Sequence, residues 1–191
     1  DGYQPTLESE MGSFHERLGS TDKGVITSNE AIYVPADDLL DHGVQAIFPY
    51  LDSIVVLSRD VYQEGLLPAV DIINSSSAAL TPKIVGEAHY RASLQVKALL
   101  KQAQSLERIV QLVGEAELSP EDQVTYVRAK KLKYFMTQRF FVAEAEKGEK
   151  GAFVPREKTV KDVLAILEGK YDNVPEENFL FIGSLEELNR G

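Results

Sequence analysis

Three carboxylates stand close together just after a predicted strand. Residues 31–34 (AIYV) form a buried-type strand that stops at Pro35, and Asp37, Asp38 and Asp41 follow it. In open α/β sheets, ligands and partners bind at the carboxyl ends of the strands. The carboxylates are therefore a candidate binding or acid–base site, and the alternative is a solvated turn.

Other candidate catalytic and metal-binding groups lack the spacing that their chemistry requires. The chain contains neither G-x-x-x-x-G-K-[ST] nor G-x-G-x-x-G, so no segment can cradle a triphosphate by itself. His15, His42 and His89 lie far apart without metal-ligand spacing, which favours surface or helix-packing roles. The serines at 75–77 lack a nucleophile-elbow motif and indicate a polar turn. The residues alone thus predict no catalytic group and no metal site.

The composition indicates an acidic globular protein of two modules. The 191 residues are 43% hydrophobic, include no cysteine, and contain no apolar run near the roughly 20 residues of a membrane span. Within the net charge of −10, residues 1–85 carry 13 acids and 4 bases, whereas residues 86–191 carry 17 and 16. The charge shift suggests two modules, and the acidic surface disfavours nucleic acid and anionic membranes.

The first part of the chain alternates predicted strands with predicted helices. Strands are expected at 24–34, 53–58 and 69–73, and the second is a short apolar run. Helices are expected at about 7–18, 41–51 and 59–65. Such alternation is typical of an α/β layer built on a parallel sheet.

Helical periodicity takes over near residue 82 and predicts a bundle. The first helix spans 87–113 and ends at Gly114; the second starts after the N-cap Ser119, with Pro120 at its first position, and runs to about Gln138. A third lies at about 160–168. The positions expected to face the core are Tyr90, Leu94, Leu99, Leu106, Val110, Val113, Val124, Val127, Leu132, Phe135, Val163, Leu164 and Leu167. The predicted domains are 1–82 and 83–191.

Short motifs spread along the whole chain occur in a fixed order. They are GYQPTL (2–7), EMG…ER (10–17), ITS…AIYVPADDL (26–39), LSR (57–59), PAVD (68–71), IVGEAHY (84–90), ELS-x-ED (117–122) and KYDNVPE (170–176). Together they resemble the C-terminal portion of the beta subunit of F-type ATP synthases. A YVPADDL run followed by ELS-x-ED is not expected in a flagellar-export or vacuolar ATPase.

The resemblance implies a fold class and a cofactor. Residues 1–82 would be the second half of a RecA-like P-loop nucleotide-binding domain, and residues 83–191 an all-α C-terminal bundle that swings when nucleotide binds. The P-loop lysine, the catalytic glutamate and the magnesium-site aspartate of the family would lie upstream of Asp1, so the chain would hold no catalytic residue. ATP or ADP with Mg²⁺ would bind the intact subunit, and no cofactor is expected for this chain alone.

The resemblance also implies two contacts with a rotor. Residues 116–122 match the acidic DELSEED lever of the family at five of seven positions. The contact residues implied there are Glu117, Leu118, Ser119, Glu121 and Asp122. The cluster of Asp37, Asp38 and Asp41 matches the loop that catches the rotor, which favours a mechanical role over acid–base chemistry.

Nucleotide contacts implied by the resemblance carry several altered residues. The adenine pocket would comprise Leu67, Phe140, Ala143 and Glu146, and the non-catalytic nucleotide site of the neighbouring alpha subunit would receive Tyr90, Asn74 and Ala78. Leu67 and Glu146 stand where the family has a tyrosine and a phenylalanine, and Ala78 and Asn74 stand where it has an arginine and an aspartate. Because stacking on a base contributes about 1–3 kcal/mol per ring, the loss of the two rings predicts weaker purine binding.

Three functions remain open from the sequence. The first is the beta subunit of an F-type ATP synthase, coupling ATP synthesis or hydrolysis to rotation and proton transport; the isolated chain would be inactive. The second is a divergent beta-like subunit with a structural or regulatory role and weakened turnover. The third is an F-like motor outside proton translocation. Expected partners are alpha subunits and the central-stalk gamma subunit, without nucleic acid or membrane insertion, at the cytoplasmic face of a bacterial plasma membrane or an organelle inner membrane.

Overall fold

The chain divides into two compact units, Asp1–Ile54 and Val55–Gly191. The computed structural model describes residues 2–189. In that range no helix is both long and apolar enough to cross a bilayer. The domain boundary predicted after residue 82, where the helical periodicity begins, stays a prediction.

The first unit is built on two short helices. Helix α1 spans Leu7–Glu16, α2 spans His42–Ile47, and the two pack against each other with Leu7 and Val44 buried. The 3-10 turns of this unit are Pro35–Asp37 and Phe48–Tyr50, and strand β1 is Ser53–Ile54. The predicted helix at 7–18 is confirmed with an earlier end, and the one at 41–51 is confirmed as α2 plus the turn that follows it.

The prediction of a strand over 24–34 is wrong, since all of these residues are described by the structure and none lies in a strand. No β-strand forms there, and the only ladder contact at its start is an isolated bridge between Thr21 and Gly24. Val25 is 77% exposed and Tyr33 is 80% exposed. The local sequence favours an extended backbone, but a strand also needs a neighbour to accept and donate its hydrogen bonds.

The second unit begins with a short antiparallel contact instead of a parallel sheet. Helix α3 spans Arg59–Gln63, strand β2 is Ser76–Ser77, and helix α4 spans Pro82–Val85. Of the strands predicted at 53–58 and 69–73, β1 and an isolated antiparallel bridge between Leu57 and Val70 are formed. No strand of more than two residues forms between 2 and 189, so the parallel sheet predicted for the first domain is wrong in this respect.

Three long helices form the core of the second unit. They are α5 (Glu87–Val113), α6 (Pro120–Phe135) and α8 (Arg156–Leu167), with the short α7 (Glu144–Lys147) between the last two. Helix α5 packs against both α6 and α8. The predicted bounds of α5 are confirmed, and it ends where Gly114 adopts a φ of 93°, a conformation that favours glycine.

The buried stripe of the bundle differs from the predicted one. Leu94, Val113 and Val124 are 49%, 59% and 45% exposed, so their predicted burial is wrong. The core residues of this unit are Ala92, Val96, Leu100, Ala103, Ala129, Leu132, Phe135, Val163, Ile166, Phe179 and Leu185. Small alanines line the closest helix contacts, and counting large apolar side chains alone overlooks them. Helix α6 also ends at Phe135, three residues before the predicted end.

Cationic side chains of α6 clamp the loop that follows α8. Lys131 is 1% exposed, and its Nζ donates to the carbonyl oxygens of Tyr171 (3.0 Å) and Asp172 (2.8 Å). Arg128 Nε donates to Asp172 Oδ1 at 2.8 Å, and Lys130 Nζ lies 2.9 Å from Glu176 Oε1. Burial lowers the pKa of Lys131, and the hydrogen bond from Arg128 lowers the pKa of Asp172. These contacts tie α6 to the loop that follows α8.

Candidate functional sites

The first candidate site is the loop between Pro35 and Asp41. Its turn is left-handed, with φ of 53° at Ala36 and 57° at Asp37. The amide of Asp38 donates to the Pro35 carbonyl at 3.0 Å, which closes the turn. The Asp37 and Asp38 side chains are exposed, as a surface for a partner requires. Asp38 Oδ1 also accepts from the Leu40 amide at 2.9 Å, so this loop carries its own local support.

Asp41 has an internal role that the sequence did not reveal. Its Oδ1 accepts hydrogen bonds from the Tyr3 hydroxyl at 2.7 Å, the Gly43 amide at 2.9 Å and the Val44 amide at 3.3 Å. It therefore caps α2 and ties the N-terminal segment to that helix. The Tyr3 hydrogen bond is the main cause that lowers the pKa of Asp41. Contact of Asp41 with a rotor stays a prediction, as it does for Asp37 and Asp38.

The second candidate site is the tip that joins α5 to α6. Ser119 caps α6 by accepting from the Asp122 amide at 3.2 Å, and its hydroxyl donates to Asp122 Oδ2 at 2.8 Å. Gln123 Nε2 donates to the carbonyl oxygens of Ala116 and Leu118, both at 3.1 Å. These bonds hold the tip between two helices, as a lever needs.

Predicted contact residues at the tip divide into two groups. Glu117, Ser119 and Glu121 are exposed, whereas Leu118 is 7% exposed and packs inward. Leu118 thus anchors the tip, and Asp122 takes part in the cap. Exposed apolar side chains, which the sequence reasoning missed, lie on the adjacent turns: Ile109 (45%), Leu112 (76%), Val113 (59%) and Val124 (45%). The signal available in the sequence was that α5 carries more large apolar residues than its one buried face can hold.

The third candidate site is the predicted adenine pocket. The Gln138 amide donates to the Leu67 carbonyl at 2.7 Å, and Gln138 Nε2 donates to the Ala152 carbonyl. The cis peptide Leu67–Pro68 is therefore held beside the segment that carries Phe140, whose exposure is 36%. The structure thus brings together two of the segments that the sequence assigned to one pocket.

Ala143 and Glu146 lie on the next turns of the same segment. Ala143 ends the 3-10 turn Phe141–Ala143, and Glu146 is exposed on α7. Glu144, also on α7, accepts from the Gly151 amide at 2.8 Å, which closes the loop that follows. A carboxylate at 146 supplies no ring for stacking on a base. These four positions stay predicted contacts.

The positions assigned to a neighbouring subunit lie around the start of α5. Asn74 Nδ2 donates to Asp71 Oδ2 at 2.7 Å, and Lys97 Nζ donates to the Ser75 carbonyl at 2.6 Å. Lys97 thus fixes the segment of Asn74 and Ala78 against the helix whose first turn carries Tyr90. Asn74 and Ala78 are exposed and Tyr90 is half-buried. Their nucleotide contacts stay a prediction.

The histidines occupy different environments. His42 is exposed on α2. His15 packs on its helix, as predicted, but its Nε2 also lies 3.0 Å from Glu30 Oε2, a pairing that the spacing of the two residues gave no reason to expect. His89 Nδ1 is buried without a hydrogen-bond partner in the described part of the chain.

Comparison with protein families identifies the class to which this fold belongs. Residues 1–77 match the nucleotide-binding domain of the ATP synthase alpha/beta family. Residues 78–175, more than half of the chain, match the C-terminal domain of V and A type ATP synthases. The chain therefore belongs to the family defined by the C-terminal domain of V and A type ATP synthases. This confirms the predicted fold class, part of a nucleotide-binding domain followed by an all-helical C-terminal domain.

Solved structures share this fold at low sequence identity. NeqB, a unique ATP synthase subunit from Nanoarcheaum equitans, is 23% identical, with a TM-score of 0.71 over 88% of this chain and 40% of that one. The assembled ATPase EscN of the enteropathogenic E. coli type III secretion system is also 23% identical, with a TM-score of 0.68 over 87% and 38%. The chain thus spans about 40% of the length of these structures.

Proposed function

We propose that this chain is the C-terminal part of a beta-type subunit of an F-type ATP synthase. The subunit would couple ATP synthesis or hydrolysis to rotation of a central stalk and to proton transport. Family membership supports a subunit of a multi-subunit ATPase. The F-type assignment rests on the YVPADDL and ELS-x-ED motifs, because the matched C-terminal model is described for V and A types.

The tip between α5 and α6 is the observation that carries the mechanical proposal. Helix α5 has 27 residues, so it is about 40 Å long at 1.5 Å per residue. Its core contacts with α6 and α8 make it a stiff arm, and the capped tip at its end presents Glu117 and Glu121. A stiff arm with an exposed end transmits displacement of the bundle to whatever the tip touches.

The chemistry of the tip specifies its partner. The exposed carboxylates favour a basic surface, and the exposed Leu112 and Val113 favour an apolar patch within it. A central-stalk gamma subunit with both features is the proposed partner. The loop with Asp37 and Asp38 is the proposed second contact. Alpha subunits would complete the ring, at the cytoplasmic face of a bacterial plasma membrane or organelle inner membrane.

The proposed nucleotide chemistry is divided between this chain and the rest of the subunit. Phosphate binding, Mg²⁺ and hydrolysis belong to the P-loop half. This chain would supply contacts to the base through Leu67 and Phe140, which the Gln138 hydrogen bond places in neighbouring segments. We therefore expect no hydrolysis by residues 1–191 alone.

A divergent beta-like subunit with a structural or regulatory role is the second candidate. Leu67 and Glu146 each remove a ring from the predicted base pocket, and Ala78 removes a cation from the predicted alpha-subunit site. These substitutions concentrate at positions predicted to face nucleotide, whereas the tip keeps five of the seven residues of the DELSEED motif. Slow or absent turnover by the intact subunit would favour this alternative.

The proposed function is tested in the assembled parent complex. The double variant Glu117→Gln, Glu121→Gln removes the two exposed acids that the tip presents, and Glu149→Gln, Glu177→Gln, at two exposed acids of the same unit, is the matched control. We expect the tip variant alone to lose torque in a single-molecule rotation assay while Mg²⁺-ATP hydrolysis persists. Equal torque in both variants would contradict the lever. Magnesium-dependent hydrolysis by residues 1–191 alone would contradict the division of labour.

A further inference from the structure

The imidazole of His15 faces a hydrogen-bond acceptor at each of its two nitrogens. Nδ1 lies 2.8 Å from the carbonyl oxygen of Met11, and Nε2 lies 3.0 Å from Glu30 Oε2. A carbonyl oxygen can only accept, and an ionised carboxylate can only accept. Both contacts are therefore satisfied at once when both nitrogens carry a proton, which is the cationic form of the ring.

The surroundings of the ring keep it in this position. The His15 side chain is 7% exposed, and that of Glu30 is 19% exposed. The ring stacks on Tyr50 with centroids 4.4 Å apart and planes at 7°, and Phe14 meets its edge at 5.0 Å. The Ser28 hydroxyl donates to Glu30 Oε1 at 3.0 Å, which fixes the carboxylate. His15 is thus wedged between the segment of Glu30 and the turn 48–50.

We propose that His15 and Glu30 form a proton-dependent clamp, which holds the extended segment 28–34 against α1 when the imidazole is protonated and releases it when the proton is lost. In the neutral ring only one nitrogen can donate, so either the Met11 or the Glu30 contact is lost. Because Glu30 is the ion-pair partner, its attraction to the ring falls in either case. The segment it anchors leads directly into the left-handed turn at Pro35–Asp37.

The direction of the pH dependence follows from the charges that face the ring. Glu30 and Tyr50 are the titratable groups on the two elements packed against it, and α2 contributes His42, whose ring lies against Tyr3. The Met11 carbonyl first, and then Glu30, raise the pKa of His15 above its ordinary value. A raised histidine pKa gives stability that is complete below about pH 6.5 and is lost as the pH rises through the folded value. The clamp therefore opens as the pH rises through the raised pKa of His15.

The clamp is tested on the whole chain by NMR between pH 6 and 9. In the wild type, ¹⁵N shifts of His15 should show both ring nitrogens protonated at pH 6, and the pKa of His15 should lie above about 6.5. Backbone order parameters over 28–34 should fall from about 0.85 toward 0.6 or lower as His15 titrates, because the loss of the Glu30 contact frees the segment.

Two variants separate the clamp from general effects of pH. In His15→Gln, which cannot titrate, the order parameters of 28–34 should not depend on pH over this range. In His42→Gln, the matched change at the exposed histidine of the same unit, the wild-type dependence should persist. A His15 pKa at or below about 6.5, or order parameters that are flat with pH in the wild type, would overturn the proposal. Because both readouts are made on the wild type, they stand even if His15→Gln does not fold.

Discussion

The main-chain amide of Gln138 donates a hydrogen bond of 2.7 Å to the carbonyl oxygen of Leu67. This bond joins the turn at the cis peptide Leu67–Pro68 to the segment just before Phe140. The two segments are far apart in sequence, and their meeting gives the predicted adenine pocket a physical basis. We therefore expect an aromatic ring at position 67 to lie near Phe140.

Restoring the missing rings should strengthen nucleotide binding. The double variant Leu67→Tyr, Glu146→Phe should bind ATP at least about tenfold more tightly than the wild type, because each stacking ring contributes about 1–3 kcal/mol. Calorimetric titration of the intact parent subunit with Mg²⁺-ATP measures the change, because the phosphate-binding half is needed for nucleotide to bind. Leu40→Tyr, which adds a ring at an 80% exposed position of the other unit, is the control. Equal affinity in all three proteins would remove Leu67 and Glu146 from the base site.

Removing the buried ammonium of α6 should destabilise the bundle. Lys131→Ala leaves the Tyr171 and Asp172 carbonyls without their donor and opens a cavity, so we expect a loss of about 3 kcal/mol in the free energy of unfolding. Urea unfolding monitored by circular dichroism gives this value. Lys131→Met keeps most of the volume and should cost clearly less than the alanine variant. A loss below about 1 kcal/mol for Lys131→Ala would show that the hydrogen bonds from Lys131 to the loop after α8 are not needed for stability.

Acid should weaken the bundle through Asp172. Its pKa is lowered by Arg128, so the stability from this pair is present above the unfolded pKa of about 3.9 and is lost as the pH falls through the folded value. Arg128→Met should therefore cost about 1 kcal/mol at pH 7 and less once the pH falls below the lowered pKa of Asp172. Lys170→Met breaks the exposed pair with Glu168 and should change stability little at either pH. A cost for Arg128→Met that does not vary with pH would assign its effect to packing.

The cap of the tip should control its local order. Ser119→Ala removes the acceptor for the Asp122 amide and should cost about 1 kcal/mol, seen as faster hydrogen exchange over the first turn of α6. Ser105→Ala, within α5, removes a hydroxyl that only donates back to the Gln102 carbonyl, so it should be close to neutral. Unchanged exchange at 120–123 in Ser119→Ala would mean that Gln123 holds the tip by itself.

The helices were predictable from sequence because their determinants are local. The apolar periodicity marks the length of α5, and Gly114 ends it. The Ser119 cap marks the start of α6. The strand at 24–34 failed because an extended sequence does not contain the partner that would make it a strand. The prediction that Leu94 is buried was wrong. The buried face of α5 is instead lined in part by small residues such as Ala92, which hydrophobicity alone does not mark as core positions.

The sequence predicted which residues belong to the candidate sites, but not the contacts that those residues make. Motif resemblance proposed Asp37 and Asp41 as equivalent members of one cluster, yet the structure uses Asp41 as a helix cap bonded to Tyr3. The pairing of His15 with Glu30 depends on how segment 28–34 returns to α1, which no periodicity encodes. Such long-range polar pairs arise from tertiary structure, and a single sequence carries no local signal for them.

Cysteine cross-linking of the tip tests the central claim most directly. The chain contains no cysteine, so Glu121→Cys introduces one reactive site at the exposed tip, and Glu149→Cys places one on an exposed loop of the same unit. In the assembled parent complex, we predict that the cysteine at 121 cross-links to a central-stalk subunit and stops ATP-driven rotation, whereas the one at 149 does neither. A cysteine at 121 that never cross-links to a stalk subunit, in a complex that still rotates, would contradict the account.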